Sequence, residues 1–329
     1  MTNTTWHVGI DLAKSQAEVA AWNGRQYRRH RVHQTSEGHA ALVTWLGQLP
    51  GVVVRVCLEA TGIYGDGLAQ AVHEAGYAVS LLNPVVLKAF RQSSLTRTKT
   101  DRTDAALLAR YGAVHQPERW TPPPAEIREL QALTRRLESL LHMRQQELNR
   151  RESASRSVDV QHSITTVLSA LDEEIARLEQ LIREHIDRHP GLKAQADLLQ
   201  TIGGIGEKTA TRLLAECGDL TRFASAREAA AFAGLTPQEH TSGTSVRGRP
   251  RLSKTGSARL RKALYFPAIA AKRFNPLVRA FCEQLLARGK HIMTVIGAAM
   301  RKLIHLAYGV LKSGKPFDPN YRPQRPLQA

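Results

Sequence analysis

Cysteine is scarce. The chain has three in 329 residues, Cys57, Cys217 and Cys282, with no CxxC pair and no His/Cys grouping at zinc-ligand spacing. A disulfide-stapled scaffold and a zinc module are therefore excluded, and a reducing cytosol is the expected location. Apolar runs are short: none approaches the ~18 residues of a membrane span. The first residues, MTNTTWHVGIDLA, contain no basic segment followed by an apolar one, so neither a secretory leader nor a membrane partner is expected. Acid is in short supply, with 29 Asp+Glu against 46 Lys+Arg and a net charge of +17. Such a surplus calls for a polyanion, because neutralised phosphates release condensed counterions and so yield affinity without special geometry.

Apolar residues make up 42% of the chain, enough for real cores, and the length favours two or more domains. The charge is unevenly placed: residues 1–120 carry +4, residues 121–190 carry −2 and residues 191–329 carry +15. In the first part WHVGIDLA (Trp6–Ala13) reads as a buried strand. Ala17–Trp22 and Gln26–His33 around Asn23-Gly24 read as a hairpin. A helix over 36–49, a strand over 52–58 ending at Glu59, a helix over 64–75, a strand over 78–82 and a helix over 84–91 complete an α/β pattern with a mixed sheet.

WTPPPAE (Trp120–Glu126) interrupts that pattern and marks a boundary. Beyond it Leu130, Leu133, Leu137, Leu140 and Leu141 recur at three and four. After a polar break near Ser153–Ser157, Val167, Leu168, Leu171, Ile175, Leu178, Leu181 and Ile182 do the same. Two long helices with a coiled-coil seam are expected, either an internal hairpin or a dimerisation arm. The expected domains are 1–120, a helical arm over 121–190, a basic domain over 191–316 and a disordered tail over 317–329, which is rich in proline and polar residues.

Asp11 lies in an otherwise apolar strand, an expensive place for a carboxylate unless it is paired or ligates a cation. Glu59 ends another apolar strand before a glycine-containing turn. Asp101 and Asp104 stand three apart in TKTDRTDAALLAR, on one face of a helix. Thr100, Thr103 or either Asp could cap that helix. Each acid alone is more often structural, but the four together make the oxygen-only set that Mg²⁺ (or Mn²⁺) prefers. Such ions stabilise the attacking and leaving oxygens of a phosphodiester. Arg91, Arg97, Lys99 and Arg102 lie among these acids, as phosphate contacts or as a solvated charged face.

Further on, LLQTIGGIGEKTA (Leu198–Ala210) reads as helix, glycine turn and helix. That arrangement suits either a tight turn or a helix-hairpin-helix seat for phosphate, with Lys208 and Thr209 favouring the second. Between Thr244 and Lys302 stand 14 Lys+Arg and one acid, Glu283. A flexible RGRPR (Arg247, Arg249, Arg251), then Lys254, Arg259, Arg261 and Lys262, predict a backbone-tracking surface. Ser242-Gly243 is either a turn or a nucleophile held among guanidinium groups. Residue type leaves Ser245, Ser253 and Ser257 as rivals.

VGIDLAKS, CLEATGIY, KTDRTDA and GLTP…SG…RGRPRLSKTGSARLRKALY together resemble the DEDD-type insertion-sequence transposases, the bridge-RNA-guided serine recombinases, over nearly the whole chain. The resemblance implies a ribonuclease H-like, resolvase-like N-terminal domain, a coiled-coil arm and a mainly α C-terminal transposase domain. It carries the acidic tetrad onto Asp11, Glu59, Asp101 and Asp104, and the nucleophilic serine onto Ser242. It also implies Mg²⁺, a structured guide (bridge) RNA, donor and target DNA, and a homo-oligomer, a dimer assembling to a tetrameric synapse in the bacterial cytosol. Two other readings are compatible with the residues: a metal-dependent resolvase-type nuclease that activates water, and a non-catalytic junction- or RNA-binding protein.

Overall fold

The computed structural model describes residues 4–59, 65–94, 100–153, 157–238 and 251–320, and the backbone of 241–242 and 246–247. The chain divides into two compact units, Met1–Pro122 and Pro123–Ala329.

In the first unit β1 (Thr5–Leu12), β2 (Gln16–Trp22) and β3 (Tyr27–His33) form an antiparallel meander. They are followed by α1 (Ser36–Gly47), β4 (Val52–Glu59), α2 (Asp66–Glu74), β5 (Val79–Leu82), α3 (Pro84–Ser93) and α4 (Asp101–His115). The sheet order is β3-β2-β1-β4-β5, with β4 parallel to both β1 and β5. Alternation along β1 sorts its side chains. Trp6, Val8 and Ile10 are buried with Leu42 and Leu46 of α1 and Leu68 and Val72 of α2. The opposite face carries Gly9, and there α4 lies so close that a Cβ on Gly9 would stand 2.1 Å from the Ala105 carbonyl oxygen. A second glycine makes the same approach from the helix side, since a Cβ on Gly112 would meet Cys57 Sγ at 2.7 Å. This α/β unit with its mixed five-stranded sheet is compatible with a ribonuclease H-like fold.

The second unit is mostly helical: α5 (Ala125–Ser153), α6 (Val158–Arg188), α7 (Pro190–Gln200), α8 (Glu207–Cys217), α9 (Ala226–Phe232), α10 (Ala258–Phe274), α11 (Pro276–Ala287) and α12 (Ile292–Ser313). Leu140, Ile175 and Leu178 form the α5–α6 seam with Leu133, Leu137, Leu141, Leu171 and Leu181. Val167, expected in that seam, is instead 43% exposed. Nearer the ends of the pair, Ile127, Leu130, Ile182 and Ile186 join one core with α7 to α12. Phe317, the first residue of the expected tail, packs against that core and its N–H donates to Thr201 Oγ1 at 2.8 Å. Residues 321–329 lie outside the described ones.

Among the described residues α12 is the one helix long and apolar enough by composition to cross a membrane, and more than half of that stretch is buried in the helical core. The basic loop after α9 contains short ladders, β6 (Pro237–Gln238) with β9 (Arg251–Leu252) and β7 (Thr241–Ser242) with β8 (Val246–Arg247). Arg247 and Arg251, the two ends of RGRPR, each stand in one of them. The cysteines are all unpaired and buried, and burial pushes the Cys57 and Cys217 thiols up to about 12.

Candidate active site

Two parallel strands deliver the first two acids to one edge. Ile10 of β1 stands opposite Leu58 of β4, so the next residue of each strand, Asp11 and Glu59, emerges at the same end of the sheet. Alternation places both on the side of Gly9 and Cys57, the side on which α4 packs. That helix starts there, with Asp101 as its first residue and Asp104 one turn later.

The cap decides what those two acids are free to do. Thr100 Oγ1 accepts from the Thr103 N–H at 3.2 Å, while Thr103 Oγ1 accepts from the Thr100 N–H at 2.9 Å. This reciprocal box satisfies the helix end, so neither aspartate is spent on capping. Thr100→Ala should destabilise the first unit by about 1 kcal/mol, measurable by urea denaturation.

The electrostatics are those of crowded carboxylates. Asp11 is pushed up to about 7, first by burial and then by the charges of Asp104, Asp101 and Glu59; Arg91 of α3 pulls the other way. Asp104 is only 6% exposed. Arg91 Nη2 stands 2.5 Å from its Oδ1, but off the direction of a hydrogen bond, so this buried oxygen accepts none. On β2, directly opposite Asp11, stands Glu18, which is tied to Arg31.

An oxygen-rich group of four acids with a raised Asp11 fits a divalent cation in donor type and charge. Among the described residues, no three acidic, His or Cys side chains converge closely enough to grip an ion. The acids are neighbours and not yet a closed cage.

The second unit holds the other expected residues. Ser242 ends β7, with its backbone opposite Val246 and that of Thr241 opposite Arg247. Lys99, Arg249 and Ser245 lie outside the described residues. Arg251 and Lys254 are exposed, the latter at φ +54°. Arg259 is exposed at the start of α10. Three other cations have partners within the protein. Arg261 Nη1 donates to the carbonyls of Ala233 and Gly256, both at 3.1 Å, and burial lowers its pKa. Lys208 pairs with Glu179 of α6 at 2.6 Å, and Lys262 with Glu138 of α5 at 2.6 Å. Arg102 is exposed on α4, and its carbonyl accepts from Arg29 Nη1 at 3.0 Å. In the glycine turn, Gly204 (φ +103°) meets Ala271 of α10, where a Cβ would come within 2.6 Å. Gly206 at the start of α8 is open. The turn therefore serves helix packing directly.

A model described as the transposase IS116/IS110/IS902 family matches residues 196–283, and a DEDD-type IS110 transposase model matches residues 8–155. The pilin gene-inverting protein of Moraxella lacunata is 33% identical over 316 residues, covering 95% of this chain and 97% of the relative. The chain belongs to the IS110 family of transposases. This transposase is thus an enzyme of DNA recombination that acts on DNA. Its four acids fall within the first matched segment, and Ser242 and α10 within the second. The transposase for insertion sequence element IS1111A of Coxiella burnetii is more distant, 26% identical over 298 residues, covering 81% of this chain and 78% of the relative. DEDD transposases typically use a divalent metal.

Two contributors to the site escaped the sequence reading. In sequence Arg91 reads as a phosphate contact or as part of a solvated charged face, and its pairing with Asp104 depends on how α3 meets α4. Gly9 carried a signal, a glycine inside a strand, which marks close approach of another backbone.

Proposed function

We propose that this transposase cuts and rejoins DNA through a transient ester between Ser242 and a DNA phosphate, in a ribonuclease H-like setting where Asp11, Glu59, Asp101 and Asp104 hold Mg²⁺ (or Mn²⁺). A structured guide RNA pairs with donor and target DNA, and a dimer of the protein assembles into a tetrameric synapse. The observation that carries this reading is Asp11, raised to about 7 among the charges of three other acids, in a member of a transposase family. A bound divalent cation supplies charge stabilisation at the phosphate. The acids keep oxygen donors at the sheet edge, and Arg91 balances Asp104. Ser242 Oγ would form one P–O bond as another breaks, its proton passing to the leaving oxygen, so the bond energy is kept for rejoining without ATP. Relatives named for gene inversion and for transposition support such chemistry, because both rearrangements require cut ends to be rejoined. Base pairing by the guide would choose sites, leaving the basic second unit to hold backbones.

Wild-type protein incubated with its element's ends and guide RNA should yield a protease-sensitive protein–DNA adduct, and Ser242→Ala should yield none and recombine at least 10³-fold less, the scale of losing a catalytic nucleophile. Continued DNA cleavage by Ser242→Ala would favour a water-activating nuclease instead.

A further inference from the structure

The chain has only seven phenylalanines, and two of them stand in solvent on one helix. On α10, Phe266 is 75% exposed and Phe274 65% exposed. Scattered exposed apolar residues need no explanation, but these belong to a pattern. Lys262, Phe266, Ile269 and Arg273 recur at intervals of three and four, with Arg259 and Phe274 at the edges of the stripe. The opposite side of α10, including Leu260, Leu264, Ala268 and Ala271, is buried in the core and fixes the outward direction of the rings. Each ring is braced by a neighbour. Tyr265 meets Phe266 edge-on with centroids 5.3 Å apart, and the Arg273 guanidinium lies 5.2 Å from the Phe274 ring centre.

We propose that this face of α10 is a stacking platform for the unpaired bases of a DNA single strand, with Arg259, Lys262 and Arg273 on its phosphates. The proposal rests on the reading of the chain as a DNA recombinase and specifies which form of DNA this face takes. Charge selects the occupant. With 14 Lys+Arg and one acid between Thr244 and Lys302, a second copy presenting the same face is repelled. Lys262 is already paired with Glu138, but an apolar ligand would add no anion for Arg259 and Arg273, whereas a single strand offers phosphates and base faces together. A duplex keeps its base faces stacked on one another. The two rings are about 12 Å apart along the helix axis, more than three times the roughly 3.4 Å spacing of stacked bases.

The test titrates full-length protein with labelled oligothymidylate, oligouridylate and a dA·dT duplex at fixed salt, following fluorescence anisotropy. Both rings are exposed, so Phe266→Leu with Phe274→Leu keeps the apolar surface and the fold while removing the aromatic faces. It should weaken single-strand DNA binding about 10-fold or more, given the usual contribution of base–aromatic stacking, and leave duplex binding within about threefold. Trp at both positions should restore affinity. Equal losses on strand and duplex, undiminished strand binding, or a loss confined to the RNA oligomer would overturn the platform. So would unchanged DNA binding with a fall in oligomeric mass, which would assign the face to a second copy. Asp11→Asn, measured alongside, should keep single-strand affinity. Recombination by that variant and strand binding by the Leu pair therefore report the two readings separately.

Discussion

Replacing Asp11 with Asn should abolish recombination and, without divalent cation, make the protein more stable at pH 8. Both effects arise from one cause. Asp11 is raised to about 7 because burial and the charges of Asp104, Asp101 and Glu59 penalise its ionised form. A carboxyl whose folded pKa exceeds its unfolded value holds its proton more tightly in the native state. Its stabilising contribution is therefore complete below about pH 4 and is lost as pH rises through about 7. At pH 8 the ionised group opposes the fold, and Asn removes that opposition. After discounting for solvent screening of a half-buried group, the gain is about 1–2 kcal/mol. The same substitution deletes a cation ligand, and losing charge stabilisation of several kcal/mol at the phosphate corresponds to a rate loss on the order of 10³-fold or more. Thermal melts in EDTA at pH 5 and pH 8, with recombination assayed in Mg²⁺, check both halves. Full recombination by Asp11→Asn would remove this carboxylate from the chemistry, and the junction-binding reading would then take precedence.

Gly9→Ala carries the largest expected structural effect for the smallest chemical change. The added methyl would stand 2.1 Å from the Ala105 carbonyl oxygen, 2.4 Å from the Ala109 nitrogen and 2.6 Å from Leu108 Cβ. Two of these are backbone atoms and cannot rotate away, so α4 must move off the sheet. Overpacking of this kind costs about 3 kcal/mol at the upper end of its usual range, and for a unit of this size lowers the melting temperature on the order of 10 °C. Moving α4 also carries Asp101 and Asp104 away from Asp11, so activity should fall even at temperatures where the variant remains folded. Circular dichroism melts paired with recombination assays at 20 °C would separate the two effects. A variant that melts like wild type would mean that α4 is not seated on Gly9 as described.

The first unit was legible because its signals are local. Alternation in WHVGIDLA, the Asn23-Gly24 turn and the β-branched run Val52–Val54 each report burial and chain reversal within a few residues. The seam of α5 and α6 was legible for the same reason, and Val167 is exposed because the adjacent Leu168 holds the seam position in the series Ile164, Leu168, Leu171, Ile175, Leu178 and Ile182. What stayed hidden depends on distant pairings. Thr100 and Thr103 both looked able to cap, and their reciprocal bonds required the actual turn of backbone. The grouping of four acids became clear only when strand order placed β1 beside β4 and laid α4 across them. On the basic side, sequence gave charge without partners: Arg261 resembles its neighbours in the list of cations, yet it clamps the carbonyls of Ala233 and Gly256. The ladder at Ser242 was not legible because ladders two residues long leave too short an alternation to detect.

The pairing of Lys208 with Glu179 and of Lys262 with Glu138 changes how the protein's affinity for a polyanion should be counted. Each lysine already has an anion, provided by the long helical pair, and Glu138 is held below its usual pKa mainly by its hydrogen bond to Lys262. A phosphate arriving at either lysine therefore enters an exchange and not an empty seat. Such exposed pairs contribute under about 1 kcal/mol, so they yield readily, but the displaced carboxylate must then recruit its own counterion from solution. Binding at these two positions thus releases fewer ions on balance than a count of basic residues suggests, and it leaves two carboxylates on the helical pair freed whenever nucleic acid is seated. The count of 46 Lys+Arg overstates the cations available to DNA, and two of them double as a latch between α10, α8 and the helices beside them.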